Sequence, residues 1–430
     1  MNNEETSAEI RSKSFNNIFK GDKTIWMIFL FLCLISIIEV YSASSSLSYK
    51  GGNFWYPIIG HMMLQFIGVC CMVVMLNIPC RFLKLITPFA LLFVGGCLYY
   101  VLFAGKIVNG ASRWIDLGFF HFQPSELAKG ALILAIAQIL SAMQTENGVE
   151  KRAFWYVLGV TAFFFFPIVF ENFSTAFLIA SISIFMMFIG RIPGKMIGGL
   201  LGVGALVVAV MFALVMLIGN AEDADDEEGI RTEQVATNTQ DGAKEKRHGL
   251  FHRFDTWKGR IMKFTDRRYI PPKEFDLDND RQEGFSKIAI ASCGIIGKGL
   301  GNSTERESLP QAYSDFIYSI IIEEGGIIGA IAVAFLYTAL MFRAGKIARQ
   351  CEYAFPAYLV MGFGFIFMIQ AMFNMAVAVG LAPVTGQTLP LISRGGTATI
   401  FNCIYIGVIL SVSRTATKRT SDVRKQKKAS

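Results

Sequence analysis

Three carboxylates sit where a membrane protein can least accommodate them. In LPQAYSDFIYSIIIEEGG, Leu309 to Gly326, Asp315 opens an apolar run long enough to cross a bilayer, and Glu323 and Glu324 follow about two turns further on. A carboxylate at mid-bilayer costs roughly 2.5–3.5 kcal/mol on insertion scales, so an acid there points first to function. Asp315, at the mouth of the run, is placed for general-base work. The plain alternative is an acid at a helix N-terminus, where it favours the macrodipole. Glu323 and Glu324 lie deeper. Adjacent helical residues point about 100° apart, so these two are not expected to face one partner together. The expectation is that one holds the bundle through Lys or Arg while the other lines a cavity.

Further groups with chemical potential cluster in three short stretches. NGASRWIDLGFFHFQPSELAK, Asn109 to Lys129, carries Arg113 beside Trp114, a pairing suited to the membrane interface, where Trp anchors and Arg meets phosphate. Lys129 follows Glu126 by three residues. It reads either as an intramembrane functional cation or as half of a Glu–Lys pair on one helix face, with its ammonium snorkelling outward. FENFSTA places Glu171 and Asn172 at a turn, where Asn172 with Ser174 is more simply a helix cap. GLAPVTGQTLPLISRGGTA, Gly380 to Ala398, has Pro383 and Pro390 against regular helix and Gly395-Gly396 permitting close backbone approach. Irregular backbone at membrane depth is tolerated where it is buried in protein or lines a wet cavity. Arg394 in this loop is a second outer cation or an interfacial anchor.

Other signals exclude more than they suggest. His248 and His252 have i, i+4 spacing but no third ligand, so metal binding is not indicated. GIIGKGLG lacks the pattern of a P-loop. Most of the eight cysteines lie in apolar runs and none forms a C-x-x-C pair, which fits free cysteines packed as small hydrophobes and no intrachain disulfide.

The elements that must position these groups follow from composition. The chain of 430 residues is 53% hydrophobic and only 17% charged, against about 25% charged for a soluble domain. Several apolar stretches exceed the roughly 20 residues that span the hydrocarbon core. The fold class is an all-α polytopic membrane protein of about ten spans, near 25–43, 55–78, 84–104, 127–143, 154–170, 173–190, 197–219, 315–342, 355–379 and 397–413. The first span is long for a signal h-region and reads as a retained helix. Basic residues concentrate in alternate short segments, among them Lys20, Lys23, Arg81, Lys84, Lys151, Arg152, Arg191 and Arg343. By the positive-inside rule both termini are then cytoplasmic. The organisation expected is a cytoplasmic segment 1–24, spans one to seven over 25–219, a large extracytoplasmic loop 220–314, spans eight to ten over 315–413, and a basic cytoplasmic tail 414–430. The loop opens on the acidic low-complexity run AEDADDEEG and turns basic and aromatic further on. The net charge of +7 does not point to nucleic acid, because the basic residues are not gathered on one soluble patch.

Taken in order on a ten-span frame, the Asn109–Lys129, Leu309–Gly326 and Gly380–Ala398 motifs resemble the SEDS family, whose members FtsW and RodA are peptidoglycan glycosyltransferases. GQTLPLISRGG looks more like the FtsW form. The resemblance implies a lipid II polymerase of the bacterial cytoplasmic (inner) membrane, working in division beside a class B penicillin-binding protein and other division proteins. It places the family's essential aspartate on Asp315 as general base. It also implies substrate-binding roles for Arg113, Trp114, Glu126, Lys129, Ser393, Arg394 and Gly395, and supporting roles for Glu171, Asn172, Glu323, Glu324, Pro383 and Thr385. A divalent cation, Mg²⁺ or Mn²⁺, is expected at the diphosphate, with ligands the sequence does not name. The chain departs from the family pattern at Glu171-Asn172, where Pro-Asp is common. It also has Gln311 and Tyr313 in place of Glu and His, and Arg394 in place of Tyr. A lipid II flippase and a non-catalytic scaffold for the transpeptidase are the competing readings; a base at the outer mouth favours the enzyme.

Overall fold

The computed structural model describes residues 20–51, 56–104, 106–108, 111–116, 121–146, 148–218 and 281–429. Among them, nine helices are long and apolar enough to cross a membrane, and a tenth apolar helix, Phe173–Ile189, has 17 residues. Seventeen is at the lower end of the range that spans a bilayer. In chain order the helices are α1 (Lys23–Gly51), α2 (Tyr56–Asn77), α3 (Cys80–Ala104), α4 (Pro124–Ala142), α5 (Lys151–Glu171), α6 (Phe173–Ile189) and α7 (Gly194–Ile218). A short α8 (Arg281–Ala291) precedes α9 (Ile317–Gln350), α10 (Ala354–Ala378) and α11 (Thr397–Ala429).

The segment between α3 and α4 is not helical. It forms a three-stranded antiparallel sheet of β1 (Lys106–Val108), β2 (Ala111–Asp116) and β3 (His121–Phe122), with Lys106 opposite Trp114. A second small hairpin pairs β4 (Gln144–Thr145) with β5 (Gly148–Val149). The all-α expectation thus holds for the membrane portion, with this ribbon between α3 and α4 added.

The bundle is built around α11, α4 and α10. The first turns of α11 through Ala416 are almost wholly buried, whereas α7 is almost wholly exposed and touches mainly α6. Close approach of α11 to α4 depends on Gly130. A Cβ there would lie 2.6 Å from the Tyr405 ring, and the Tyr405 hydroxyl instead accepts from the Gly130 N–H at 3.1 Å and donates to the Glu126 carbonyl at 2.6 Å. At the other end of the bundle, Asp22 caps α1 by accepting from the Thr24 and Ile25 N–H groups, and its carboxylate is gripped by Arg343 of α9 at 2.5–3.0 Å. That pair ties the first span to the eighth.

The eighth span corrects the sequence reading. It is not one straight helix: Gly326 sits inside α9 at φ 66, ψ −164, a conformation closed to ordinary L-residues. Before the break, Ile317 to Glu324 are buried throughout. After it, Ile327, Ile328, Ile331, Phe335 and Phe342 are exposed, as a lipid-facing side requires. Residues 327–350 rise about 36 Å at 1.5 Å per residue, which alone spans the hydrocarbon core. Asp315, Glu323 and Glu324 therefore all precede the break.

Candidate functional site

Asp315 lies in the turn that leads into α9, half-buried, with its Oδ1 accepting from the Ser314 hydroxyl at 2.9 Å. The loop that joins α10 to α11 folds over this turn and is stitched to it by main-chain bonds. The Ser393 hydroxyl donates to the Ser314 carbonyl at 2.6 Å and accepts from the Leu389 N–H at 2.8 Å. The Arg394 N–H donates to the Tyr313 carbonyl at 3.0 Å, and its guanidinium stands 5.5 Å from the Tyr313 ring centroid. Such a cation–π placement holds the guanidinium beside the turn. Gly386 faces the carboxylate: a Cβ on it would lie 3.5 Å from Asp315 Oδ2.

Both segments carry backbone strain at the site. Gln311 (φ 55) and Leu391 (φ 67) are non-glycine residues in the left-handed region, one in each of the two stitched segments. Such conformations cost of order 1–3 kcal/mol each and persist where the surroundings over-determine them.

Two amides of α10 support the loop from below. Gln370 Nε2 donates to the Thr388 carbonyl at 3.1 Å, and Asn374 Nδ2 donates to the carbonyls of Gln387 at 2.7 Å and Asp315 at 2.8 Å. Gln387 in turn donates through Nε2 to Thr175 Oγ1 at 2.9 Å, reaching α6. From the α1 side, the Ser36 hydroxyl donates to the Ile392 carbonyl at 2.7 Å and meets His61 Nε2 at 2.8 Å. Sequence reasoning did not single out Gln370, Asn374, Gln387, Ser36 or His61. The available signal was the i, i+4 spacing of Gln370 and Asn374 in an otherwise apolar helix.

The other expected site residues fall into three groups. Ser393, Arg394 and Gly395 stand at the Asp315 turn, with Pro383 and Thr385 in the same loop; Thr385 Oγ1 is buried without a hydrogen-bond partner among the described residues. Lys129 is fully buried, and its ammonium donates to Glu126 Oε1 at 2.9 Å and Gln370 Oε1 at 2.8 Å. The Glu–Lys pair of the sequence reading is present, but the lysine turns inward instead of snorkelling, because Gln370 offers a second acceptor in the core. It reaches the loop through Gln370 and Thr388. Asn172 caps α6, its side chain accepting from the Thr175 N–H at 3.2 Å. Arg113 and Trp114 lie on β2 and Glu171 ends α5, while their side chains, like His248 and His252, lie outside the described residues.

Glu323 and Glu324 form a separate nest; one of them does meet a lysine, as expected, but the expectation of separate partners fails. Both carboxylates face the same partner, the segment 298–304. Glu323 receives Lys298 Nζ at 2.5 Å, the Thr304 N–H at 3.0 Å, the Thr304 hydroxyl at 2.8 Å and the Ser303 hydroxyl. Glu324 receives the Gly301 N–H at 2.8 Å, the Ser303 N–H at 3.3 Å and the Ser42 hydroxyl of α1. The reason is the break at Gly326. It leaves the carbonyls of Glu323 and Glu324 without helical donors, and Lys298 and Gly299 supply them from the same segment at 2.9 Å. The extracytoplasmic loop of the sequence reading therefore ends in a structured piece, α8 and the 294–304 turn, packed on α9.

No group of three or more His, Cys, Asp or Glu side chains able to hold a metal ion occurs among the described residues. Among the described residues the site presents the Asp315 carboxylate, the Arg394 guanidinium and a ring of main-chain and hydroxyl groups.

Fold and site define a class: a polytopic helical membrane protein with a half-buried carboxylate held under the irregular loop between its last two membrane helices. The chain belongs to the FtsW/RodA/SpoVE family of cell cycle proteins, whose model matches residues 22–223 and 250–418. It is 28% identical over 402 residues to the probable peptidoglycan glycosyltransferase FtsW of Burkholderia thailandensis, covering 91% of this chain and 78% of that protein. It is likewise 28% identical over 405 residues to stage V sporulation protein E of Bacillus subtilis, covering 91% and 97%. Among solved structures it resembles a chain of a peptidoglycan synthase complex in which polymerization and crosslinking are coordinated (TM-score 0.67, 21% identity, 92% and 98% covered). The rod shape determining protein RodA of Thermus thermophilus matches with a TM-score of 0.60 at 20% identity, covering 93% and 98%. These last two likenesses establish a shared fold.

Proposed function

We propose that this chain is a peptidoglycan glycosyltransferase that polymerises lipid II. The names of its curated relatives support the reaction class, and the observation that carries the mechanism is the seating of Asp315. Its carboxylate is half-buried, faces a glycine rather than a bulky side chain, and is fixed through its main chain from α10. A half-buried carboxylate fixed through its own main chain has the positioning that general-base work needs.

In this reading Asp315 takes the proton from the 4-hydroxyl of the acceptor GlcNAc. That oxygen attacks the anomeric carbon of the donor MurNAc from the face opposite the diphosphate. The carbon–oxygen bond to undecaprenyl diphosphate breaks, and inversion leaves a β-1,4 link. Arg394, beside the turn, is the described cation placed to meet the departing negative charge. Lys129 acts from within, holding the loop through Gln370, because its ammonium is already engaged in the core. A Mg²⁺ or Mn²⁺ ion would supply Lewis-acid stabilisation of the diphosphate. With no three-ligand cluster among the described residues, such an ion would be carried chiefly by the phosphate oxygens of the substrate, as magnesium commonly is.

The same reading gives the chain a class B penicillin-binding protein as partner, a role in division, and both termini on the cytoplasmic side. The basic short loops support that orientation. The test is direct. Purified chain with a class B transpeptidase, lipid II and Mg²⁺ in detergent yields a glycan polymer cleaved by a muramidase. Absence of polymer, with lipid II instead moved across a proteoliposome membrane, overturns the proposal in favour of transport.

A further inference from the structure

We propose that Asn374 is the positioning residue that sets the Asp315 carboxylate across from the loop it works against. The inference rests on the reading of Asp315 as general base. Asn374 is 1% exposed, on a helix whose neighbouring residues are apolar, so it touches neither lipid nor solvent. Its single –NH₂ group spends both hydrogens on main-chain carbonyls from segments far apart in sequence, Asp315 at 2.8 Å and Gln387 at 2.7 Å. Both targets are acceptors only, so the amide orientation is fixed: only the nitrogen fits between them.

The consequence is geometric. Asp315 and Gln387 are held to one nitrogen, so the side chain of the first and the residue preceding the second, Gly386, must face each other. The 3.5 Å between Asp315 Oδ2 and a Cβ placed on Gly386 is what that arrangement produces. No other described side chain bonds to both segments through their main chain at the base itself; Ser393, the other tie, meets the carbonyl of the preceding residue.

The far end of the same amide argues against a merely stabilising role. Asn374 Oδ1 is buried and has no hydrogen-bond partner among the described residues. Buried polar groups are rarely left so, and each exception asks for a reason. The amide leaves its own acceptor empty while it holds two loop carbonyls. An apolar side chain would remove that orphan, but it would release both segments and leave their two carbonyls without this donor. Asn374 cannot touch substrate, since it lies behind the turn; it acts through Asp315. A displacement of about 1 Å in a catalytic group can cost about 100-fold in rate.

The experiment measures lipid II polymerisation by the full chain with its transpeptidase partner, over a range of lipid II concentrations. It compares wild type, Asn374→Ala, Asn374→Asp and Asp315→Asn, each corrected for folded protein. The expected result is a fall in kcat of about 10- to 100-fold for both Asn374 variants, with KM within about twofold of wild type. A purely structural loss would lower the folded fraction and leave corrected kcat unchanged. Should Asn374→Ala fail to accumulate, Asn374→Asp keeps the volume, leaves at most one donor for the two carbonyls and carries the measurement alone. Corrected kcat within twofold of wild type, with Asp315→Asn inactive, overturns the positioning role and leaves the base intact. Wild-type rates for Asp315→Asn overturn both.

Discussion

Gly297 and Gly326 meet backbone to backbone. A Cβ on Gly297 would fall 2.4 Å from the Gly326 nitrogen, and one on Gly326 would fall 2.5 Å from the Gly297 nitrogen, closer than real side chains come. Both residues are in the left-handed region, at φ 81 and φ 66. This contact is the point where the helix breaks and the 294–304 turn docks. Replacing either glycine by alanine adds strain worth about 1–3 kcal/mol before any clash is relieved. Thermal unfolding in detergent should show a lower midpoint for Gly297→Ala and Gly326→Ala than for Gly199→Ala on α7, where a Cβ meets nothing within 4 Å. Equal midpoints for the three would contradict the docking geometry.

The glutamate nest makes an ordering testable. Glu323 is fully buried and accepts four hydrogen bonds, whereas Lys298 is partly exposed and supplies only one of them. Glu323→Gln turns an amide donor toward groups that are themselves donors and should cost about 1–3 kcal/mol. Lys298→Met removes one donor of the four from a partly exposed partner and should cost less than Glu323→Gln. Chemical or thermal unfolding of the two variants gives the order. A larger loss for Lys298→Met would show that the ion pair, rather than the hydroxyl and N–H donors, holds the nest.

Lys129 and Glu126 offer a double-mutant cycle in the core. Removing one partner of a buried pair leaves the other charge uncompensated, at about 3–5 kcal/mol. Lys129→Met should therefore be strongly destabilising, and Lys129→Met with Glu126→Gln should recover much of the loss. Because Lys129 also holds Gln370 at 2.8 Å, the recovery stays incomplete. Additive losses in the double variant would deny the coupling.

Much of the frame was legible in the sequence because long apolar runs and alternating basic loops are direct consequences of the bilayer. The helix bounds fall within a few residues of the expected spans, apart from the C-terminal ends of α1, α9 and α11. The break in α9 was not legible in the same way. EEGGIIG continues an apolar run, and only its docking partner, the 294–304 turn, forces Gly326 out of helical geometry. The same break is why Glu323 and Glu324 share a partner that helical spacing denied them. Lys129 turned inward for a reason invisible locally: its second acceptor, Gln370, lies 241 residues away. The turn at Asp315 and the Ser393–Gly395 loop were named as site residues from their motifs. The amides that join them were not: their i, i+4 spacing in an apolar helix marks a shared polar face, but not the carbonyls it serves, which lie on other segments.

The central claim is that Asp315 is the general base. Positioned general bases contribute about 100- to 10,000-fold to rate. The most direct measurement is the polymerisation rate of lipid II by wild type and Asp315→Asn protein, matched for folded content and partner. The account predicts a loss of at least about 100-fold with lipid II binding retained. Polymer formed at the wild-type rate by Asp315→Asn would contradict it.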